Sequence, residues 1–209
     1  MVHVGSDAAS EIYVRRKIAK CHEAGILSIE HRLSAQVDQA TLLALIADPN
    51  ADQKVHGILV QLPLPPQIDA DKVLDCISPA KGVDGFHPVN VGCLSATTPG
   101  LVPCTPEGCM RLLDTVISDF RGLHAVVIGK SNIVGKPVAL MLLERECTVT
   151  VTHIHTVGLP SIAREADILV VASAKPNLVR GDGVKPGAVD VGINRVSDGV
   201  GTRIIRARR

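Results

Sequence analysis

The chain has almost no aromatic side chains: of its 209 residues none is Trp, one is Tyr and two are Phe. A core without large rings must be built from Val, Ile, Leu and Ala, the composition of buried parallel sheets. Charge of one sign is also missing. A formal net charge of +1 gives no field to attract nucleic acid or an anionic membrane, so neither is an expected partner. No apolar run approaches the length needed to span a bilayer. The start, Met1-Val-His-Val-Gly5, has neither the charged nor the apolar segment of a signal peptide. The six cysteines (Cys21, Cys76, Cys93, Cys104, Cys109, Cys147) never fall in CxxC spacing. That pattern points to reduced thiols in a cytoplasmic protein, and away from a disulfide framework or a zinc site. The single basic run, Arg203 to Arg209, reads as a solvated terminus.

What is present is an alternation of short β-branched runs with helical stretches, the mark of an α/β fold with parallel sheets. The pattern predicts helices over Ser10 to Ala24, Ala40 to Ala47 (closed by Asp48-Pro49) and Asp69 to Ile77. Strands are expected at Ile26 to Leu33 and Val55 to Val60, and nothing periodic between Pro88 and Pro103. A second series follows: helix Pro106 to Val116, strand His124 to Ile128, helix Pro137 to Glu144, and strands Cys147 to Thr152 and Asp167 to Ala172. Thr, Gly and Pro interrupt the pattern near Pro99 to Pro106, which sets a domain boundary between 1–102 and 103–209.

The sharpest local signal is Ala125-Val-Val-Ile-Gly129-Lys130-Ser131-Asn-Ile-Val-Gly135-Lys-Pro137. An apolar strand enters a glycine-containing turn that opens a helix, whose unpaired N–H groups and positive dipole end suit a pyrophosphate. The spacing G-x-S-x-x-x-G is not the usual G-x-G-x-x-G, so an ordinary βα turn remains the alternative. The next strand ends in His153-Ile154-His155-Thr156 with no acidic residue for ribose hydroxyls, and Lys130 offers a cation to a 2′-phosphate. Both features lean towards NADP, with NAD possible. His153 and His155 share a strand face, but no third ligand stands nearby, so no metal is expected.

Tyr13 and Lys17 stand four apart on one helix face. The ring can stack on a planar heterocycle, and the cations Arg15, Arg16 and Lys20 beside Lys17 favour a neutral, proton-accepting amine. A basic solvated face with a half-buried Tyr is the plain alternative. Gln61 follows Ile58-Leu-Val60 at the carboxyl end of a strand, where α/β ligands bind. Asp84 lies in Val83-Asp-Gly85, a turn that can present a carboxylate, although both residues are also routine turn chemistry.

In order, Tyr13-Val-Arg-Arg-Lys17, Val55-His-Gly-Ile-Leu-Val-Gln61-Leu-Pro-Leu-Pro65, Val83-Asp84-Gly85, Pro103-Cys-Thr-Pro106, Gly129 to Pro137 and Asp190-Val-Gly-Ile193-Asn194 closely resemble the bifunctional methylenetetrahydrofolate dehydrogenase/methenyltetrahydrofolate cyclohydrolase family. The resemblance runs from about Val4 to Gly201. It implies a folate-binding, catalytic α/β domain over 1–102 and a Rossmann-like NAD(P)-binding domain over 103–209, in a homodimeric enzyme. That enzyme oxidises 5,10-methylenetetrahydrofolate with NADP⁺ and hydrolyses the product to 10-formyltetrahydrofolate.

Carried over residue by residue, the resemblance gives Tyr13 the folate ring to stack on and makes Lys17 the key cyclohydrolase residue. Gln61 would hydrogen-bond Lys17, and Asp84 would accept the pterin's N–H groups. Gly129, Lys130, Ser131, Gly135, Ile154 and Ile193 fall in the dinucleotide site. It also implies departures: a chain truncated at both ends, and a strand shortened by two residues before Asp190. Lys130 stands where the family has Arg, and Ile154 where it commonly has Ser. These predict weakened NADP binding and blurred discrimination against NAD. The alternative reading is an impaired or inactive fragment that keeps only nucleotide binding or dimerisation.

Overall fold

The computed structural model describes residues 1–173, 175, 178–179 and 183–193; Asn194 and the basic run from Arg203 to Arg209 lie outside them. The chain divides into two compact units, Met1–Asn90 and a second that begins at Val91. Among the described residues no helix is long and apolar enough to cross a membrane.

In the first unit, β1 (Val2–Val4) pairs in parallel with β2 (His31–Leu33). Between them runs α1 (Ala8–Glu23), started by the Asp7 carboxylate, which accepts from the N–H of Ser10. An aspartate here satisfies an otherwise orphaned helix N–H. Asp38 opens α2 (Gln39–Ala51) and Asp69 opens α3 (Ala70–Cys76) in the same way. Val2, Val4, Ile58 and Val60 form one core with Leu42 and Ile46 of α2 and Val73 of α3. Burying each such side chain contributes about 1.5–3 kcal/mol.

Four expectations fail between residues 1 and 95. The strand expected over Ile26 to Leu33 is paired only at His31–Leu33. The N–H of Ile26 turns back to the carbonyl of Cys21 (2.8 Å), and Ile26, Leu27 and Ile29 stay exposed. Val55 to Val60 pairs only through single parallel bridges, Val2 to Val60 and Ile58 to Gly82. Pro49 does not end α2 but lies inside its last turn. The carbonyls left there are taken up by the Lys81 ammonium, which donates to Pro49 O, Asn50 O and Asp52 O at 2.9, 2.7 and 2.8 Å. A helix α4 (Pro88–Ser95) fills part of the stretch expected to be irregular.

The second unit is a four-stranded, all-parallel sheet in the order β4-β3-β5-β6, with β3 His124–Ile128, β4 Thr148–Thr152, β5 Ile168–Val171 and β6 Val189–Gly192. Alternate residues of β3 bury into opposite cores. Ala125 and Val127 pack with Cys109, Met110 and Leu113 of α5 (Cys104–Leu113) and with Val138 and Leu142 of α6 (Gly135–Glu144). Val126 and Ile128 pack with Ala163 of α7 (Leu159–Arg164) on the other face. Helices on both faces of a parallel sheet make this a Rossmann-like α/β layer structure.

Candidate active site

The chain leaves β3, adds β4 on one side, and then crosses to β5 on the other. At such a reversal of strand order, beyond the carboxyl end of β3, open α/β sheets hold their ligands. Gly129 sits at that point with φ 119°, and its N–H donates to Thr152 O at 2.9 Å. A side chain there would be strained and would meet Ala172 O at 2.3 Å. Gly135 answers a different demand. A Cβ on it would lie 2.0 Å from Gly129 O, so what approaches this glycine is the chain's own turn, not a ligand.

The anticipated anion cradle also moves. The N–H groups of Val134 and Gly135 are engaged by Ser131 Oγ (3.2 and 3.3 Å), that of Lys136 by Ser131 O (3.0 Å), and Pro137 has none. The start of α6 therefore does not offer free N–H groups. No described residue accepts from the backbone N–H groups of Lys130, Ser131, Asn132 and Ile133, so the turn itself presents the donors. Lys130 and Ser131 are exposed there.

Beyond β4, His153 N–H donates to Thr156 Oγ1 (2.8 Å), Ile154 is 93% exposed, and no acidic residue occurs before Glu165. Ile193 follows β6 at the same sheet edge, with its N–H on Val171 O (2.9 Å) and its side chain against the α5–α6 core. Unpaired turn donors, a nearby cation and the absence of a carboxylate fit a phosphorylated dinucleotide.

The second cluster lies wholly in the first unit. Helical spacing sets Tyr13 and Lys17 on one face of α1, and Lys17 Nζ lies 3.8 Å from Asp84 Oδ1, both side chains being mostly buried. Asp84 is carried by a turn in which Gly85 N–H donates to Gly82 O (2.9 Å). That turn is anchored by the bridge between Ile58 and Gly82, by Lys81 on the end of α2, and by Asn90 Nδ2 on Pro79 O (2.8 Å). Burial pushes the Asp84 carboxyl above the usual carboxylate range, with the Lys17 charge acting in the opposite sense. At 3.8 Å the pair is at the limit of direct contact, so desolvation wins.

Gln61 is buried, and its Nε2 donates to Leu62 O (2.7 Å) while its Oε1 has no partner. The hydrogen bond expected between Gln61 and Lys17 is not formed; the described ion pair of Lys17 is with Asp84. The residues that hold the Asp84 turn, Lys81 and Asn90, escaped the sequence reading. No local pattern links Lys81 to carbonyls some thirty positions earlier.

Two family models match the chain: the tetrahydrofolate dehydrogenase/cyclohydrolase catalytic domain over residues 1–84, and the NAD(P)-binding domain of the same enzymes over residues 103–204. Bifunctional protein FolD 1 of Rhizorhabdus wittichii is 68% identical over 200 residues, covering 95% of this chain and 68% of that protein. The chain belongs to the tetrahydrofolate dehydrogenase/cyclohydrolase family. The crystal structure of the FolD enzyme from Campylobacter jejuni superposes with a TM-score of 0.91 at 47% identity, covering 98% of this chain and 72% of that one. The Trypanosoma brucei dehydrogenase-cyclohydrolase, solved with NADP cofactor and an inhibitor, gives 0.89 at 36% identity over the same shares. The second unit thus carries the family's NAD(P)-binding domain.

Proposed function

We propose that this chain catalyses NADP-dependent oxidation of 5,10-methylenetetrahydrofolate to 5,10-methenyltetrahydrofolate, and hydrolysis of that product to 10-formyltetrahydrofolate. The observation that carries the reading is the Lys17–Asp84 pair beside the chain's single Tyr, a cation and a largely buried carboxylate 3.8 Å apart. Tyr13 stacks on the pterin, and Asp84 accepts its N–H groups. Lys17 stands at the reacting carbon. Water adds to the methenyl carbon and gives up one proton to solvent; the bond from that carbon to N5 then breaks as the Lys17 ammonium donates a proton to N5, and the new hydroxyl returns its proton to Lys17, leaving the formyl group on N10. Gln61, whose buried Oε1 has no partner among the described residues, would accept from Lys17 on substrate binding and orient it.

NADP, when bound, takes up the hydride from the methylene carbon, and no protein acid or base is needed for that transfer. The chain's task there is to hold two rings in register. The turn N–H groups at Lys130 and Ser131 hold the phosphates, and the close approach of Gly129 to Gly135 shapes the turn. Lys130 would hold the 2′-phosphate, with Ile154 beside the adenosine and Ile193 on the nicotinamide side. The two working parts are 1–102 and 103–209. A homodimer in the cytoplasm, by resemblance to the family, completes the assignment, and the free state of all six cysteines agrees with a reducing compartment.

The test is to follow both half-reactions by absorbance, with NADP⁺ and with NAD⁺, on folded protein. Lys17→Ala should lower the hydrolytic kcat by at least about a hundredfold, the scale of a lost general acid–base group, while NADP binding is unchanged. A folded, NADP-binding chain with neither activity would overturn the reading.

A further inference from the structure

Two side-chain polar atoms among the described residues are buried with no hydrogen-bond partner, His3 Nε2 and Gln61 Oε1. They are neighbours. Val2 bridges Val60 in parallel, the N–H of Val2 donates to Leu59 O (2.7 Å), and the N–H of Gln61 donates to Val2 O (2.9 Å). Side chains alternate along paired strands. Val2 and Val60 enter the apolar core with α2 and α3. One step further along both strands, His3 and Gln61 therefore face the opposite side together. Only 2% of His3 and 8% of Gln61 remain exposed.

The two orphans are complementary. Gln61 is oriented by its other end, since Nε2 donates to Leu62 O at 2.7 Å. Reversing the amide would set its oxygen against that carbonyl, so Oε1 is the acceptor. An imidazole Nε2–H is a donor, and paired strands run about 4.8 Å apart, within reach of these side chains. Leaving both groups buried and unpaired costs each its desolvation, and one bond between them would relieve both.

We propose that His3 is a positioning residue for Gln61, donating from Nε2–H to Gln61 Oε1 and fixing the amide for its proposed part in hydrolysis. A carbonyl oxygen has two lone pairs. With one held by His3, the second keeps a fixed direction and is left to accept from Lys17 Nζ during hydrolysis, and Gln61 no longer has to choose a rotamer at each turnover. This rests on the hydrolytic role given to Lys17 and Gln61 above.

The direct test is nitrogen-15 NMR of the full chain labelled at histidine, with the His3 signals assigned by comparison with His3→Leu. The expected result is the Nε2–H tautomer in the parent chain, with that proton shifted in Gln61→Met. A ring protonated only at Nδ1, or one unmoved by Gln61→Met, would overturn the proposal whatever the enzyme's activity. Kinetics supply the second arm. His3→Leu should lower the cyclohydrolase kcat about fivefold, the scale of one hydrogen bond, with KM and the dehydrogenase rate changed by less than about twofold. His3→Gln, which keeps a donor at similar reach, should restore it and serves where His3→Leu fails to fold. Equal loss of both activities, or none, would reduce His3 to packing. A parent chain without cyclohydrolase activity would sink the functional reading instead, and leave the tautomer to decide this one.

Discussion

The two units are held together differently. The second is a parallel sheet whose inner strands, β3 and β5, are apolar and buried between helices, and its backbone pairs along whole strands. The first has strands of three residues, two single bridges, and many side chains tied to backbone: Asp7, Asp38 and Asp69 at helix starts, Lys81 and Asn50 at the end of α2. The first unit's site is thus built from polar attachments and the second unit's from strand geometry. Substitutions should separate them.

The largest effect is expected at Gly135→Ala. Its Cβ would fall 2.0 Å from a backbone oxygen that cannot move without unmaking the turn. We expect a loss of about 3 kcal/mol or more of stability and NADP affinity below detection by calorimetry, with the Lys17–Asp84 cluster intact. Next is Lys81→Met, which leaves three carbonyls without their ammonium donor. Loss of about 2 kcal/mol in chemical denaturation follows from bonds to a charged donor, with weaker folate binding and unchanged NADP binding. If Lys81→Met instead weakened NADP binding as much as folate binding, the division between the units would fail.

Asp84→Asn sharpens the contrast through pH. Burial raises the folded-state pKa of Asp84, so folding favours its protonated form. Its stabilising share is full below the unfolded carboxylate value and is lost as pH rises through the folded one. The Asn variant, neutral throughout, should match the parent near pH 3 and become the more stable of the two as pH climbs past about 4 towards 7. Equal melting temperatures across that range would show that Lys17 fully offsets the burial.

The smallest effect concerns an exposed edge. Lys130→Arg with Ile154→Ser adds a planar fork and a hydroxyl, and Ile154 is 93% exposed, so stability should not change. NADP should bind about fivefold tighter, one added hydrogen bond's worth, and NAD no tighter. An unchanged NADP dissociation constant would mean that these two positions do not limit affinity.

The same contrast explains what was legible in the sequence. His124–Ile128 is read to the residue, and Thr148–Thr152 and Ile168–Val171 to within a residue at each end, because β-branched or apolar composition and tertiary pairing agree there. In the first unit they conflict. Ile26 to Ile29 have strand composition but find no pairing partner, and Pro49 looks like a stop until Lys81 caps the helix from elsewhere. Pro88–Ser95 carries Val, Asn and Gly, weak helix formers, and its helix was missed. Of the site, the Tyr13–Lys17 spacing is visible in the sequence. The resemblance set Gln61, not Asp84, against Lys17, so the Lys17–Asp84 pair and the orphaned His3 beside Gln61 both depend on tertiary contacts that no local pattern carries.

Ser131 closes the turn and occupies the first N–H groups of α6, while Gly135 lets that turn lie directly on its own helix. In entropic terms the cradle is rigid before anything enters it. For a dinucleotide held at this turn, as proposed, little ordering would be left to oppose binding, and affinity would become a matter of which charges it brings.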